Sequence, residues 1–277
     1  MTAGISADPS LPPVHDDLGA EVATTAAARR VVSLVPSLTE AIATTRRAAL
    51  VGATEWCTHP ADLDVVRVRG TKNPDTRVIV ALAPDLVVAN QEENRALDVQ
   101  RLREAGVPVW VTRIQSVDEA FTSMRRLFDV ALGWGVPGWL EEAESAWATP
   151  PATDARRPRT AVAVWRDPWM VVGRDTFTGD LLRRLGLEHA YAGAEDRYPH
   201  VDLADLDSPD LDLVLLPDEP YVFTAGDGPE AFAHVRTALV SGRLLTWYGP
   251  SLREARRRLS ELVSGAAPEG PQITRQG

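Results

Sequence analysis

Ser116-Val117-Asp118-Glu119-Ala120-Phe121-Thr122-Ser123-Met124-Arg125-Arg126-Leu127-Phe128-Asp129-Val130-Ala131-Leu132 decides how the rest of the chain is read. The Ser116 hydroxyl can accept from the backbone three residues on, and Glu119 can reach back, so the stretch opens with a capping box. Val117, Ala120, Phe121, Met124, Leu127, Phe128, Ala131 and Leu132 then recur at steps of three and four, one apolar stripe of a helix. Gly133-Trp134-Gly135-Val136-Pro137-Gly138 should kink or break it, because Pro lacks a donor and Gly loses entropy in a helix. The pattern resumes at Trp139, Leu140, Ala143 and Trp147. A helix over 116–148 spans on the order of 50 Å at about 1.5 Å per residue. That is a spine with material on either side.

Composition narrows the class. The 277 residues are 44% apolar and 25% charged, as in a soluble globular protein, with a formal charge of -10. The acidic balance argues against a nucleic-acid partner, whose phosphates need clustered Lys and Arg. One cysteine, Cys57, excludes a disulfide framework and a multi-Cys zinc site. No stretch reaches membrane-spanning length, so no membrane insertion is expected. Residues 1–29 hold no basic segment followed by an apolar one, which predicts a cytoplasmic protein; it would be extracytoplasmic if the true N-terminus lay upstream. Residues 1–29 and 265–277 read as flexible tails.

Between the tails the chain repeats one plan. Residues 31–35 form an apolar, β-branched run that stops at Pro36; Ser37-Leu38-Thr39-Glu40 reads as a second capping box, and strands follow at 50–53, 86–89 and 107–112. Beyond the Pro-rich linker at 150–158 come a strand at 160–165 stopping at Asp167-Pro168, a helix at 178–185 and a strand within 211–216. A last strand is read at 242–248 and a closing helix at 252–263. Strands alternating with helices imply parallel sheets. The expected architecture is α/β: two Rossmann-like lobes, 30–115 and 149–264, each with a mainly parallel sheet, joined by the 116–148 helix. The carboxyl ends of the strands should face a shared ligand cleft.

Val31-Val32-Ser33-Leu34-Val35-Pro36-Ser37-Leu38-Thr39-Glu40, Val51-Gly52-Ala53-Thr54, Leu82-Ala83-Pro84-Asp85-Leu86-Val87 and Gly106-Val107-Pro108-Val109 stand in an order that resembles a known family. It is the class III periplasmic-type substrate-binding proteins for iron chelates and vitamin B12, the helical backbone metal receptors. The resemblance covers about residues 30–263. It implies a metal chelate held between two lobes by the loops at strand ends, without catalysis, and a monomer requiring no cofactor of its own.

On that resemblance the ligand-binding candidates are Ser37, Trp56, Cys57, His59, Asn90 and Glu93 in the first lobe, and Trp165, Trp169, Tyr198, Glu219, Tyr221 and Tyr248 in the second. Flat macrocycles present apolar faces that aromatic rings cover at low entropy cost. Trp56 and Tyr198 fall where the family's B12 binder has aromatic contacts, which points to cobalamin or a related corrinoid; Asn90 stands where that protein has a Trp. Burial in the core is the plain alternative for Trp165 and for Trp247. Cys57 and His59 are weak metal candidates, since a structural zinc site wants four ligands and this loop offers Glu55, Cys57 and His59; the alternative is a packed Cys and a solvated His. Glu92 and Glu93 read equally as a solvated first helical turn. The Ser37 helix start would also attract an anionic group. Gly226-Asp227-Gly228 lacks the third Gly of a dinucleotide fingerprint and reads as a turn.

The resemblance further implies delivery to an ABC permease through an acidic residue on each lobe. Arg77 and Ala204 occupy those places here, with Asp75 and Asp205 as neighbouring substitutes. An iron-siderophore or haem receptor, and a metal-handling or enzymatic protein using Cys57 and His59, are the other readings.

Overall fold

The computed structural model describes residues 14–24, 27–150 and 156–265. They form two compact units, Met1–Glu144 with Trp247–Pro250, and Ser145–Thr246 with Ser251–Gly277. Of the tails expected at 1–29 and 265–277, residues 1–13, 25–26 and 266–277 lie outside the described residues, as do 151–155 of the linker.

Unit 1 begins with a hairpin, β1 (Val14–His15) and β2 (Glu21–Val22). Its body runs β3 (Val31–Ser33), α1 (Pro36–Arg46), β4 (Leu50–Ala53), β5 (Val66–Arg67), β6 (Arg69–Gly70), β7 (Asn73–Pro74), α2 (Thr76–Ala81), β8 (Leu86–Asn90), α3 (Ala96–Glu104), β9 (Val109–Thr112) and α4 (Val117–Arg125). The main sheet has the order β5-β4-β3-β8-β9, every pair parallel. Val32, Leu34, Val87, Ala89, Val109 and Val111 pack with Ile79, Val99 and Leu102 of the helices in one core.

The hairpin corrects the expected tail at 1–29. Asp16 is buried, accepting from the amides of Leu18 and Ala20 at 2.9 Å each and from Arg103 Nη2 at 2.7 Å. Asp17 accepts from Arg126 and Ser123, and its amide donates to the Val111 carbonyl at 3.2 Å. β9 is the last strand of its sheet, so this segment covers an edge that would otherwise offer unpaired backbone groups.

The Ser116 cap stands as read: its hydroxyl accepts from Glu119 N at 3.1 Å. The helix it opens is shorter than the expected spine. After Arg125 the chain turns π-helical over Arg126–Ala131, then leaves the helix at Gly133 (φ 65°) and Gly135 (φ 75°) before α5 (Gly138–Trp147) starts beyond Pro137. The two glycines take left-handed backbone that side chains avoid, and Pro137 has no amide to continue the ladder. Trp134 fills the break, its Nε1 donating to Ala28 O at 2.9 Å, and Arg125 Nε donates across it to Glu144 at 2.6 Å. The boundary between the units falls inside α5.

The second capping box is also corrected. The cap of α1 lies two residues earlier, with Pro36 at the first helical position and Val35 as an N-cap whose side chain makes no bond. Proline needs no partner there and is preset to helical φ, so it displaces serine from the cap.

Unit 2 contains β10 (Arg159–Trp165), β11 (Met170–Val171), α6 (Phe177–Arg184), β12 (Glu188–His189), α7 (Leu203–Leu206), β13 (Leu213–Pro217), β14 (Thr237–Val240), α8 (Gly242–Thr246) and α9 (Leu252–Ser264). Its sheet runs β11-β10-β13-β14, parallel except for β11, with β12 also on β10. The strand expected at 242–248 is instead α8. The Thr237-Ala238-Leu239-Val240 run takes the strand position beside β13, and Leu244 and Leu245 are buried on the short helix after it. No helix among the described residues is long and apolar enough to cross a membrane.

Candidate functional site

In unit 1 the parallel strands bring the loops after β3, β4 and β8 to one edge of the sheet. The loop after β4, 54–60, is held from inside. Cys57 is buried, with Thr39 Oγ1 at 3.0 Å and Thr54 Oγ1 at 3.1 Å from its sulfur. Burial pushes the thiol up, against the weaker opposing effect of these hydroxyls, so the thiolate a metal requires is disfavoured. Arg67 donates to the carbonyls of Thr54 at 3.0 Å, Cys57 at 2.9 Å and Leu63 at 3.1 Å.

On this frame Trp56 stands 67% exposed. Its ring lies over the β6-β7 hairpin, where a Cβ on Gly70 would come within 3.2 Å of Trp56 Nε1 and 2.5 Å of Asn73 Oδ1. His59 is exposed and meets Trp247 edge to face at 5.4 Å. Trp247 and Tyr248, assigned from sequence to the second lobe, group with unit 1 and are buried.

Asn90 is buried and spends its polar atoms on the chain. Its Nδ2 donates to Thr112 Oγ1 at 3.1 Å, and its Oδ1 accepts from Glu92 N at 2.8 Å and Glu93 N at 3.3 Å. Asn94 Nδ2 donates to Leu34 O at 3.3 Å and Thr71 O at 2.9 Å, and Lys72 Nζ donates to Glu92 O. The loop after β8 is thus pinned to the β6-β7 hairpin, with Glu92 and Glu93 half-buried at its start. Ser37 lies in the first turn of α1, its buried Oγ without a hydrogen-bond partner.

In unit 2 the strand ends carry a second aromatic group. Trp165, 45% exposed at the end of β10, meets Tyr221 edge to face at 5.3 Å. The Tyr221 hydroxyl donates to Asp227 Oδ2 at 2.7 Å, and that bond pushes its phenol above the usual range. Arg166 binds Asp227, donates to Glu230 Oε1 at 2.6 Å, stands 3.4 Å from Asp167 and lies over the Trp169 ring at 5.4 Å. Trp169 is buried, stacked on Phe223 at 5.8 Å, and belongs to the core.

Tyr198 is 42% exposed on a segment pressed against β11 and Gly173. A Cβ on Gly173 would lie 2.3 Å from Asp196 O, so only glycine lets this segment approach. Glu219 is half-buried, its Cγ 2.2 Å from where a Cβ on Gly242 would stand.

Of the residues singled out from sequence, Trp56, His59, Trp165 and Tyr198 are exposed, and Glu93, Glu219 and Tyr221 are half-buried. Ser37, Cys57, Asn90, Trp169 and Tyr248 are buried framework. Among the described residues no group of three His, Cys, Asp or Glu side chains is placed to hold a metal ion. Sequence reading missed Arg67, Lys72 and the Arg166-Asp227-Glu230 set. Arg166 was adjacent to Trp165 in sequence, but its partners lie about sixty positions on.

Solved structures share this fold. The periplasmic haem-binding protein RhuT of Roseiflexus sp. RS-1 matches with a TM-score of 0.71 over 87% of this chain and 100% of its own, at 19% identity. The periplasmic vitamin B12-binding protein BtuF of Vibrio cholerae matches with a TM-score of 0.67 over 86% and 97%, at 17% identity. The chain has the class III substrate-binding fold. In sequence, the chain is 26% identical over 265 residues to YvrC of Bacillus subtilis, an uncharacterized ABC transporter substrate-binding lipoprotein, covering 85% of this chain and 80% of that one. No protein-family model matches the chain. These similarities overturn the expectation of a cytoplasmic protein: the structural neighbours are periplasmic proteins and the sequence relative is a transporter lipoprotein.

Proposed function

We propose that this chain is an extracytoplasmic, non-catalytic substrate-binding protein that carries a metal chelate with a broad apolar face, a corrinoid such as cobalamin, to an ABC permease. The observation that carries the reading is the exposure of Trp56, Trp165 and Tyr198 on loops at strand ends, each on a rigid support. Exposed indole and phenol rings on fixed supports offer flat apolar faces, and a tetrapyrrole-like ring supplies the matching surface. The transporter role draws on the lipoprotein relative and the periplasmic fold neighbours.

Haem is the second reading, favoured by structural neighbours that are haem-binding proteins, RhuT among them. Titration of purified protein with cobalamin, cobinamide and haemin, followed by tryptophan quenching and the ligand's visible bands, tests both. Saturable binding of a corrinoid that is weakened in Trp56→Ala and Tyr198→Ala supports the corrinoid reading; undiminished affinity in those variants sinks the site.

A further inference from the structure

The aromatic shelf of unit 2 carries an unusual charge balance. Arg166 is the cation beside Trp165, and it is consumed by carboxylates: Asp227 and Glu230 on Nη1 and Asp167 beside Nε at 3.4 Å. Its own side chain is largely covered, whereas Asp167 is 81% exposed and Asp227 and Glu230 are about half so. One positive and three negative charges therefore leave the shelf acidic on its solvent side. Asp227 also fixes the Tyr221 hydroxyl that meets Trp165, so the acidic group is built into the ring support itself.

In unit 1 a cation beside the loop after β8 is likewise committed to the chain. Lys72 is the single lysine of the chain, and its ammonium is directed to the carbonyl of Glu92, with Glu93 next to it. A carboxylate brought to the unit 2 shelf meets like charge, because the Arg166 fork that could receive it is already held by Asp227 and Glu230.

We infer that the Asp167-Asp227-Glu230 set around Arg166 is a specificity determinant that admits chelates whose side groups are amides or cations and disfavours those bearing carboxylates. The inference rests on the proposed chelate-binding role and deepens it. The ring faces of a corrin and a porphyrin are both flat and apolar, so stacking separates them poorly. Their peripheries differ: corrinoid side groups are neutral amides, and haem carries two ionised propionates. An amide N–H can donate to Asp167 or Glu230, while a propionate is repelled. For one added charge at a partly screened surface the effect is on the order of 1 kcal/mol, about fivefold in affinity per carboxylate.

The test is a set of equilibrium titrations at low and high salt with cobinamide, cobinamide with one amide hydrolysed to the acid, and haemin. The mono-acid should bind about fivefold more weakly than cobinamide at low salt, and the ratio should shrink as salt screens the shelf. Asp167→Asn should narrow the same ratio; asparagine tolerates the left-handed backbone at this position, φ 58°, so the loop keeps its shape. A wild-type ratio near one, a ratio indifferent to salt and to Asp167→Asn, or haemin binding more tightly than cobinamide overturns the inference while leaving chelate binding intact. If none of the three ligands binds, the chelate-binding role fails and the inference goes with it.

Discussion

The 54–60 loop of unit 1 and the Trp165-Tyr221 shelf of unit 2 both present aromatic rings, and they are held by opposite means. The first is fixed by hydrogen bonds that involve no carboxylate: a buried thiol between two threonine hydroxyls, and the part-buried Arg67 guanidinium spread over three carbonyls. The second is fixed at the surface by an ionic set around Arg166. Buried hydrogen bonds are costly to break because a group is left unpaired, whereas exposed ion pairs contribute little and yield to salt and acid. The unit 1 loop should therefore behave as rigid under conditions that loosen the shelf.

The largest expected effect breaks the support under Tyr198. Gly173→Val places a branched side chain where a single Cβ already lies 2.3 Å from a carbonyl oxygen, and should cost about 3 kcal/mol or more of unfolding free energy in a denaturant titration. A melting profile equal to wild type would show that the 195–200 segment is not packed as described.

Next in size, Trp56→Ala should weaken chelate binding by roughly 2 kcal/mol, about thirtyfold, with little change in Tm, since the ring is already exposed. Stability lost in step with affinity would instead make Trp56 a structural residue.

The comparison sharpens with paired arginine variants. Arg67→Met strands three carbonyls and should destabilise by about 1–3 kcal/mol at any salt concentration. Arg166→Met should cost less than about 1 kcal/mol, and less still in high salt. Equal, salt-insensitive losses would contradict the division into a carbonyl-bound and an ion-paired support.

pH separates the regions by the same logic, with a smaller effect. The bond from Arg166 holds the Glu230 carboxyl below its usual range. Its stabilising contribution is present above the unfolded carboxylate value, near about 4.3, and is lost as pH falls through the lower folded value. Acrylamide quenching that reports Trp165 should rise in acid in step with that loss, while Trp56 is unaffected. Cys57, with its thiol pushed up by burial, should stay protonated and resist alkylation at mildly alkaline pH. Rapid labelling of native protein would show the 54–60 loop to be open.

Much of the fold was legible because it rests on local patterns. Leu86-Val87-Val88-Ala89 and Leu213-Val214-Leu215-Leu216 read as strands buried on both faces, and they are central strands. Errors came where two signals competed. Ser37 looked like a cap until Pro36 took the first helical position, and Leu244-Leu245 looked like a strand although Thr237-Ala238-Leu239-Val240 had the partner. The hairpin at 14–22 was missed because its stability comes from Asp16 and Asp17 reaching Arg103 and Arg126, distant pairings that no local pattern records. In the site, residue type pointed to the exposed rings, but it could not separate Trp165 from Trp169, four positions apart and on opposite sides of the surface.

The most direct test of the central claim is a fluorescence titration of wild type, Trp56→Ala and Trp165→Ala with cobinamide. Saturable quenching in the wild type, weakened in each variant with the protein still folded, is the predicted result. Binding of equal affinity in all three proteins, or no binding in any, would contradict the assignment of these rings to a chelate.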